Sequence, residues 1–283
     1  MQNILACIDE STWSTSVQDA AIWAADQLNS PLLFLHSIEK KPLTETTDLS
    51  GAIGFGARSK LLKEIATLDQ ERSKISLQLG KELLTKAKDK ALESGCEQVE
   101  AVQRHGQFID TVLAYESDAR LVVIGHSGSE TGEKSSILGS HVESLLRQIN
   151  TPVLITSHEF SAPKSFMLAY DGRATTELAL ERIIQSEFLL GLDCHLVTIK
   201  HKHAGQQEKF EQAVRRLTDA GYSVTAEYLE GNIFQQLFDY QRQHEVEMLI
   251  MGAFSGTQLR QFFVGSNTLK MLENSSVPVL VMK

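Results

Sequence analysis

The sequence predicts two tandem doubly wound α/β domains, each with a five-stranded, mostly parallel sheet. Three observations predict it: the chain is written twice, its strands are short continuous apolar runs, and helical stripes lie between them. With 283 residues the chain has room for one large domain or two small ones. The repeat decides for two. Ile4-Leu5-Ala6-Cys7-Ile8-Asp9 parallels Phe166-Met167-Leu168-Ala169-Tyr170-Asp171, each an apolar run that ends in an aspartate. Leu121-Val122-Val123-Ile124-Gly125 parallels Met248-Leu249-Ile250-Met251-Gly252, and Leu138-Gly139-Ser140 parallels Val264-Gly265-Ser266. Thr151-Pro152-Val153-Leu154-Ile155 parallels Val277-Pro278-Val279-Leu280-Val281. The spacing agrees: 14 positions from Gly125 to Gly139 against 13 from Gly252 to Gly265, then 13 to the proline in both.

The first strand of copy one is Ile4–Ile8, followed by Leu32–Ser37, Val99–Arg104, Leu121–Ile124 and Val153–Ile155. Continuous apolar runs of this length mark strands buried on both faces of a parallel sheet. Between them, Val17, Ala20, Ala24 and Leu28 form one helical core stripe, and Leu79, Leu83, Ala87 and Ala91 another, closed by Gly95. Val142, Leu145, Leu146 and Ile149 share a face of the last helix of the copy. In copy two, Leu180, Ile183 and Ile184 belong to the first helix, and Phe210, Ala213, Val214 and Leu217 to the second, closed by Gly221. The copies differ in length: Asp9 to Gly125 spans 116 residues and Asp171 to Gly252 spans 81, so copy one carries about 35 extra residues. Domain one is therefore expected over 1–157, with the insertion at about 39–74, and domain two over 164–283.

In an open parallel sheet, ligands bind beyond the carboxyl ends of the strands at the switch point. That points to Asp9 and Gly125 in copy one, and to Asp171 and Gly252 in copy two. Glycines directly after a buried strand let the backbone turn and approach a ligand. Gly139-Ser140 opens a helical pattern, and a helix N-terminus offers free N–H groups and a partial positive charge to a phosphate. The plainer reading is that Gly125 and Gly128 shape a turn and Ser140 caps a helix. Trp13, at the start of the first helix, is either an entry-side core residue or a gate to the pocket below Asp9. His126 is placed to touch a ligand or merely to fill a turn.

The tandem repeat, the strand-end aspartate, the glycine loop leading to Gly-Ser and the closing Pro-Val-Leu strand together resemble the universal stress protein family in its two-domain form. The resemblance covers essentially the whole chain. It implies an adenine nucleotide alpha-hydrolase-like fold and a stress-response regulator that binds an adenine nucleotide, ATP with Mg²⁺ in particular. ATP-binding members carry Gly, two residues, Gly, nine residues, Gly, then Ser or Thr. By that pattern Asp9 and the backbone near Ser37 face adenine, Gly125 lies by the ribose, and Gly128, Gly139 and Ser140 hold phosphates. The weaker counterparts in copy two are Asp171, Gly252, Ser255, Gly256, Gly265 and Ser266. Copy one departs by one extra loop residue before Gly139; copy two departs by Ser255, which stands where the family has glycine. The alternative is a universal-stress-type interaction protein that has lost nucleotide binding and works through protein partners. The family resemblance also implies pairing of the two copies through their last strands as a pseudo-dimer, and homo-oligomer formation is expected.

Composition trims the other classes. The net charge is −9, from 27 Lys and Arg against 36 Asp and Glu, which disfavours nucleic acid and anionic membrane as partners. The three cysteines (Cys7, Cys96 and Cys194) are scattered, which suits a reducing cytoplasm and gives no metal pair. No nucleophile-and-base set accompanies Asp9 or Asp171, so the expectation is no catalytic residues and at most a slow ATPase.

Overall fold

The computed structural model describes residues 2–39, 55–128, 138–200, 205–252 and 267–283, with backbone alone for 55–64 and 267–269. The first half runs β1 (Asn3–Cys7), α1 (Ser14–Leu28), β2 (Leu32–Ile38), α2 (Phe55–Glu93), β3 (Val99–His105), α3 (Phe108–Tyr115), β4 (Ala119–Gly125), α4 (Ser140–Gln148) and β5 (Val153–Thr156). The second half repeats the pattern as β6 (Ser165–Ala169), α5 (Ala174–Ser186), β7 (Asp193–Ile199), α6 (Gln206–Asp219), β8 (Ser223–Leu229), α7 (Ile233–Gln243), β9 (Leu249–Gly252), α8 (Asn267–Asn274) and β10 (Val279–Met282).

The two halves share one sheet of ten strands in the order β3-β2-β1-β4-β5-β10-β9-β6-β7-β8. Each half is parallel within itself. The halves join where β5 and β10 run antiparallel, with Ile155 opposite Val279, Leu154 opposite Leu280 and Val153 opposite Val281. The apolar strand pattern explains why both faces are covered. Successive residues of β1 point to opposite sides: Ile4 and Ala6, with Ile8 just past the strand, pack with α1 and α2, while Leu5 and Cys7 pack toward α3 and α4. Ala20, Ala21, Ala24 and Ala25 are all buried on α1, so small side chains let that helix lie close on the strands.

The expected helix ends are borne out. Gly95 and Gly221 adopt φ of +94° and +90° after α2 and α6, a conformation that favours glycine. At these ends Cys96 N–H bonds to the Ala91 carbonyl and Tyr222 N–H to the Leu217 carbonyl, each at 3.0 Å.

The long helix α2 corrects two expectations. The stretch from about Pro42 to Ser59, with Gly51, Gly54 and Gly56, is too glycine-rich by propensity for a stable helix, yet helix begins at Phe55. Leu79 was expected in the core and is 49% exposed. The buried stripe is instead Gly80, Leu84, Ala87 and Ala91. An ideal Cβ on Gly80 would lie 2.1 Å from Gln103 Nε2 and 2.5 Å from His36 Nδ1. Those polar groups of β2 and β3 take the space a leucine would need. A glycine adds nothing to a hydrophobic pattern, so the sequence places the stripe one residue early at Leu79 and Leu83, while Ala87 and Ala91 are buried as expected.

Beyond the strand pairing, polar contacts of His126 and Lys283 cross the junction. His126 Nε2 donates to the Leu272 carbonyl of α8 at 2.9 Å, and Lys283 Nζ donates to the Leu146 carbonyl of α4. Leu146 and Leu272 are the same position of the repeat, each seven residues past its Gly-Ser glycine. His126 has Ala253 as its counterpart, which carries no donor, so a different residue serves each helix. The link between halves is anchored as well: Ser16 Oγ donates to the Ser157 carbonyl at 2.6 Å, and Trp23 lies between Phe160 and Phe188.

Leu280 is 1% exposed at the antiparallel junction. Leu280→Ala is expected to lower stability by ~2–5 kcal/mol, and Leu280→Lys by more, as read from urea midpoints. Burial lowers the pKa of His126 below its usual 6.5, against the opposing effects of its bond to Leu272 and the charge of Glu273. The unfolded chain therefore binds the proton more readily, and the stability contribution present above about pH 6.5 is lost as pH falls below it. His126→Gln keeps an N–H donor without the titration. It should reduce the fall in urea midpoint between about pH 7.5 and about pH 5.5, leaving the part due to His195, whose pKa burial and the charge of His244 also lower.

Candidate functional site

A cavity of about 870 Å³ opens at the carboxyl ends of β1, β2 and β4 in the first half. All six first-copy residues singled out from sequence line it: Asp9, Ser37, Gly125, Gly128, Gly139 and Ser140. Asp9 lies two residues past β1, where its Oδ1 accepts from the Ser11 N–H at 3.0 Å and from the Ser11 hydroxyl. Ser37 donates to the Gly106 carbonyl at 3.0 Å, tying β2 to the turn after β3. Gly128 sits beside Asp9: a Cβ there would stand 3.2 Å from Oδ2. Gly139 caps α4, its N–H bonded to the His126 carbonyl at 3.1 Å, and its own carbonyl accepts from Val142 N–H at 2.9 Å. The two glycine elements are therefore held side by side, with a Gly139 Cβ 3.5 Å from Ser127 Cα. Ser140 opens α4 on the cavity wall, so the positive end of that helix faces the space.

The glycine at the end of β4 has a packing reason as well. A Cβ on Gly125 would lie 2.8 Å from Trp13 Cβ. Trp13 itself lines the cavity and stacks on His126 with ring centroids 5.6 Å apart. Trp13 is thus both a wall of the pocket and the residue that requires glycine at 125. His126 does not line the cavity; its ring is buried and committed to Leu272.

Sequence reasoning missed much of the remaining wall. Asp69, Arg72, Ser73 and Ser76 of α2 line the cavity, although only their helical spacing was visible. His36 Nε2 stands 3.4 Å from Glu10 Oε1, and that bond is the main reason the Glu10 carboxyl is held below its usual pKa. Glu39 Oε1 accepts from Phe108 N–H at 2.5 Å at the start of α3, and its Oε2 lies 3.8 Å from His141 Nε2. Asp9, Glu10, Glu39 and Asp69 thus meet a single arginine, Arg72, among the described lining residues. Burial, aided by the Asp9 charge, pushes the Cys7 thiol far up, which keeps it a neutral thiol and a poor nucleophile.

The second half arranges its counterparts differently. Asp171 Oδ1 accepts from Arg173 N–H at 3.0 Å and Thr176 Oγ1 at 2.9 Å, and its Oδ2 lies 3.5 Å from Arg173 Nε. A Cβ on Gly252 would come within 2.9 Å of the Thr175 carbonyl. Trp13 and Thr175 each stand four residues past the aspartate, so both strand-end glycines admit the start of the following helix. Ser255, Gly256, Gly265 and Ser266 lie outside the described residues. A cavity of about 430 Å³ in this half lies elsewhere, along α7 with Lys270.

A model of the universal stress protein family matches residues 1–157 and 195–283 of the chain. Universal stress protein Slr1230 of Synechocystis sp. is 29% identical over 287 residues, spanning 100% of this chain and 100% of that protein. Universal stress protein YxiE of Bacillus subtilis is 30% identical over 155 residues, 54% of this chain and 96% of YxiE. Among solved structures, a universal stress protein from Archaeoglobus fulgidus matches with a TM-score of 0.71 at 18% identity, covering 99% of this chain and 98% of that one. That likeness extends the shared fold across both halves.

Three glycine substitutions should rank by what a Cβ meets. Gly125→Ala and Gly252→Ala press on the root of Trp13 and on the Thr175 backbone, and each should cost about 1–3 kcal/mol. Gly128→Ala meets a carboxylate that can rotate and should cost less. Urea unfolding checks the order, and Trp13 emission should shift in Gly125→Ala alone.

Proposed function

The chain belongs to the universal stress protein family, and from that premise we propose that it is a cytoplasmic stress-response regulator that binds an adenine nucleotide, ATP above others, in its first half. One observation carries this reading: the six residues that the family pattern assigns to nucleotide all border the same cavity. In the proposed complex Asp9 and the backbone at Ser37 meet the adenine, and Gly125 lies by the ribose. The amides at Gly128 and the opening of α4 at Gly139 and Ser140 receive the phosphates. A helix N-terminus suits them because its first N–H groups lack intrahelical acceptors and carry partial positive charge.

Among the described residues no group of three or more His, Cys, Asp or Glu side chains is placed to hold a metal ion. Mg²⁺ would therefore arrive with the nucleotide, held by its phosphates and water. It would also offset the cavity's four carboxylates. No helix among the described residues is long and apolar enough to cross a membrane.

The cavity's charge favours one other reading, an interaction protein without nucleotide. Four carboxylates against one arginine repel a bare triphosphate, and a protein partner would not meet that obstacle. Equilibrium dialysis with labelled ATP, with and without Mg²⁺, separates the two. The nucleotide reading expects saturable binding near one ATP per chain, since Ser255 stands where the family pattern has glycine in the second half. Gly128→Val should weaken it at least tenfold, about 1.4 kcal/mol. Unchanged affinity in a folded Gly128→Val protein removes the site assignment, and no binding to the wild type leaves the interaction reading.

A further inference from the structure

α2 carries two separate faces. Its carboxyl-terminal half packs on the sheet through Gly80, Leu84, Ala87 and Ala91. Its earlier part is different: every residue from 66 to 75 is exposed. On that part Leu68 is 64% exposed, Ile75 60% and Leu79 49%. These are the most exposed large apolar side chains among the described residues, and they lie on one flank of one helix.

The spacing of that flank is informative. Leu61, Ile65, Leu68, Arg72, Ile75 and Leu79 are separated by 4, 3, 4, 3 and 4 positions. That is the alternation of a coiled-coil seam, whose mean period is about 3.5, and it differs from the buried stripe of the same helix. Packing on the sheet makes no use of this second seam, and of its described residues only Arg72 and Leu79 border the cavity. A helix segment exposed on all sides is also marginal in water without a packing partner.

We propose that this seam of α2 is a dimerisation surface that docks antiparallel on the α2 of a second copy of the chain. Two features favour a second copy over an unrelated partner. Reversing the helix about residue 70 maps the seam onto itself: Ile65 falls on Ile75, and Leu68 on Arg72. A two-fold interface requires this kind of self-match, since the same patch must serve both sides. Charge follows the same symmetry. The reversal brings Asp69 opposite Glu71 of the other copy, and Arg72, opposite Leu68, stands beside both carboxylates of that copy. Each copy thus supplies the cation that offsets the other's carboxylates, which favours this direction and register.

The surface is independent of the nucleotide reading, yet it touches the same cavity. Asp69, Arg72 and Leu79 line the pocket and sit on or beside the seam. Docking would hold the α2 wall of the pocket in one position.

Sedimentation velocity on the full chain tests the proposal. The wild type should sediment as a dimer of twice 31.4 kDa. Leu68→Glu combined with Ile75→Glu should give a monomer with unchanged far-UV circular dichroism. The direction is tested by disulfide capture. Ile65→Cys and Ile75→Cys proteins, mixed and oxidised, should cross-link to each other far more than either does to itself. A monomeric wild type overturns the proposal, as does a dimer that survives the paired glutamates. Cross-linking of Ile65→Cys to itself in preference to Ile75→Cys overturns the antiparallel register. Should the paired glutamates unfold the chain, the cysteine pair decides alone, because it adds no charge.

Discussion

The antiparallel pairing of β5 with β10 is the constraint on which the rest of the molecule depends. Each half alone would end in a short, largely apolar strand with one row of backbone groups unpaired, an arrangement prone to uncontrolled association. Pairing the two like strands satisfies those groups and buries Leu154 and Leu280 against each other's halves. It also sets the geometry of everything attached. Once β5 lies against β10, α4 and α8 come within reach of the opposite half, and the bonds from His126 and Lys283 become possible.

The pocket inherits its form from that frame together with α2. Its floor is the common architecture: the strand-end aspartate, the glycine that yields to the following helix, and the helix opening at Gly139-Ser140. Its far wall belongs to the first half alone among the described residues, because the extra residues there lengthen α2. The floor offers amides and a helix terminus, suited to an anion, while Asp69, Glu39 and Glu10 bring negative charge. These tendencies oppose each other, since an anion beside several carboxylates is disfavoured unless a cation offsets them.

Much of the fold was legible because it rests on patterns that repeat. The continuous runs at Ile4 and Leu121 could serve only as doubly covered strands, and the doubled landmarks fixed the two-copy organisation. The floor of the cavity was legible for the same reason, since Asp9, Gly125 and Gly139 lie at strand and helix ends that topology brings together. What stayed hidden depends on contacts between distant segments. Gly80 faces His36 and Gln103, and nothing local marks it as a core position. Asp69 and Arg72 look like ordinary solvent-facing helix residues until α2 is laid across the pocket. His126 looks like a turn residue until α8 arrives from the other half, 146 positions away in sequence.

The unequal clasps across the junction have a wider consequence. In a dimer of identical chains, any substitution is made on both sides of the axis at once, so each side must tolerate the other's version. Here the axis runs through a single polypeptide. One half grips its neighbour with an imidazole that yields to acid, and the other with an ammonium that does not. Such a molecule has escaped the obligation to be symmetric. Its two lobes are free to specialise, and the pair is inherited as a unit with its stoichiometry fixed.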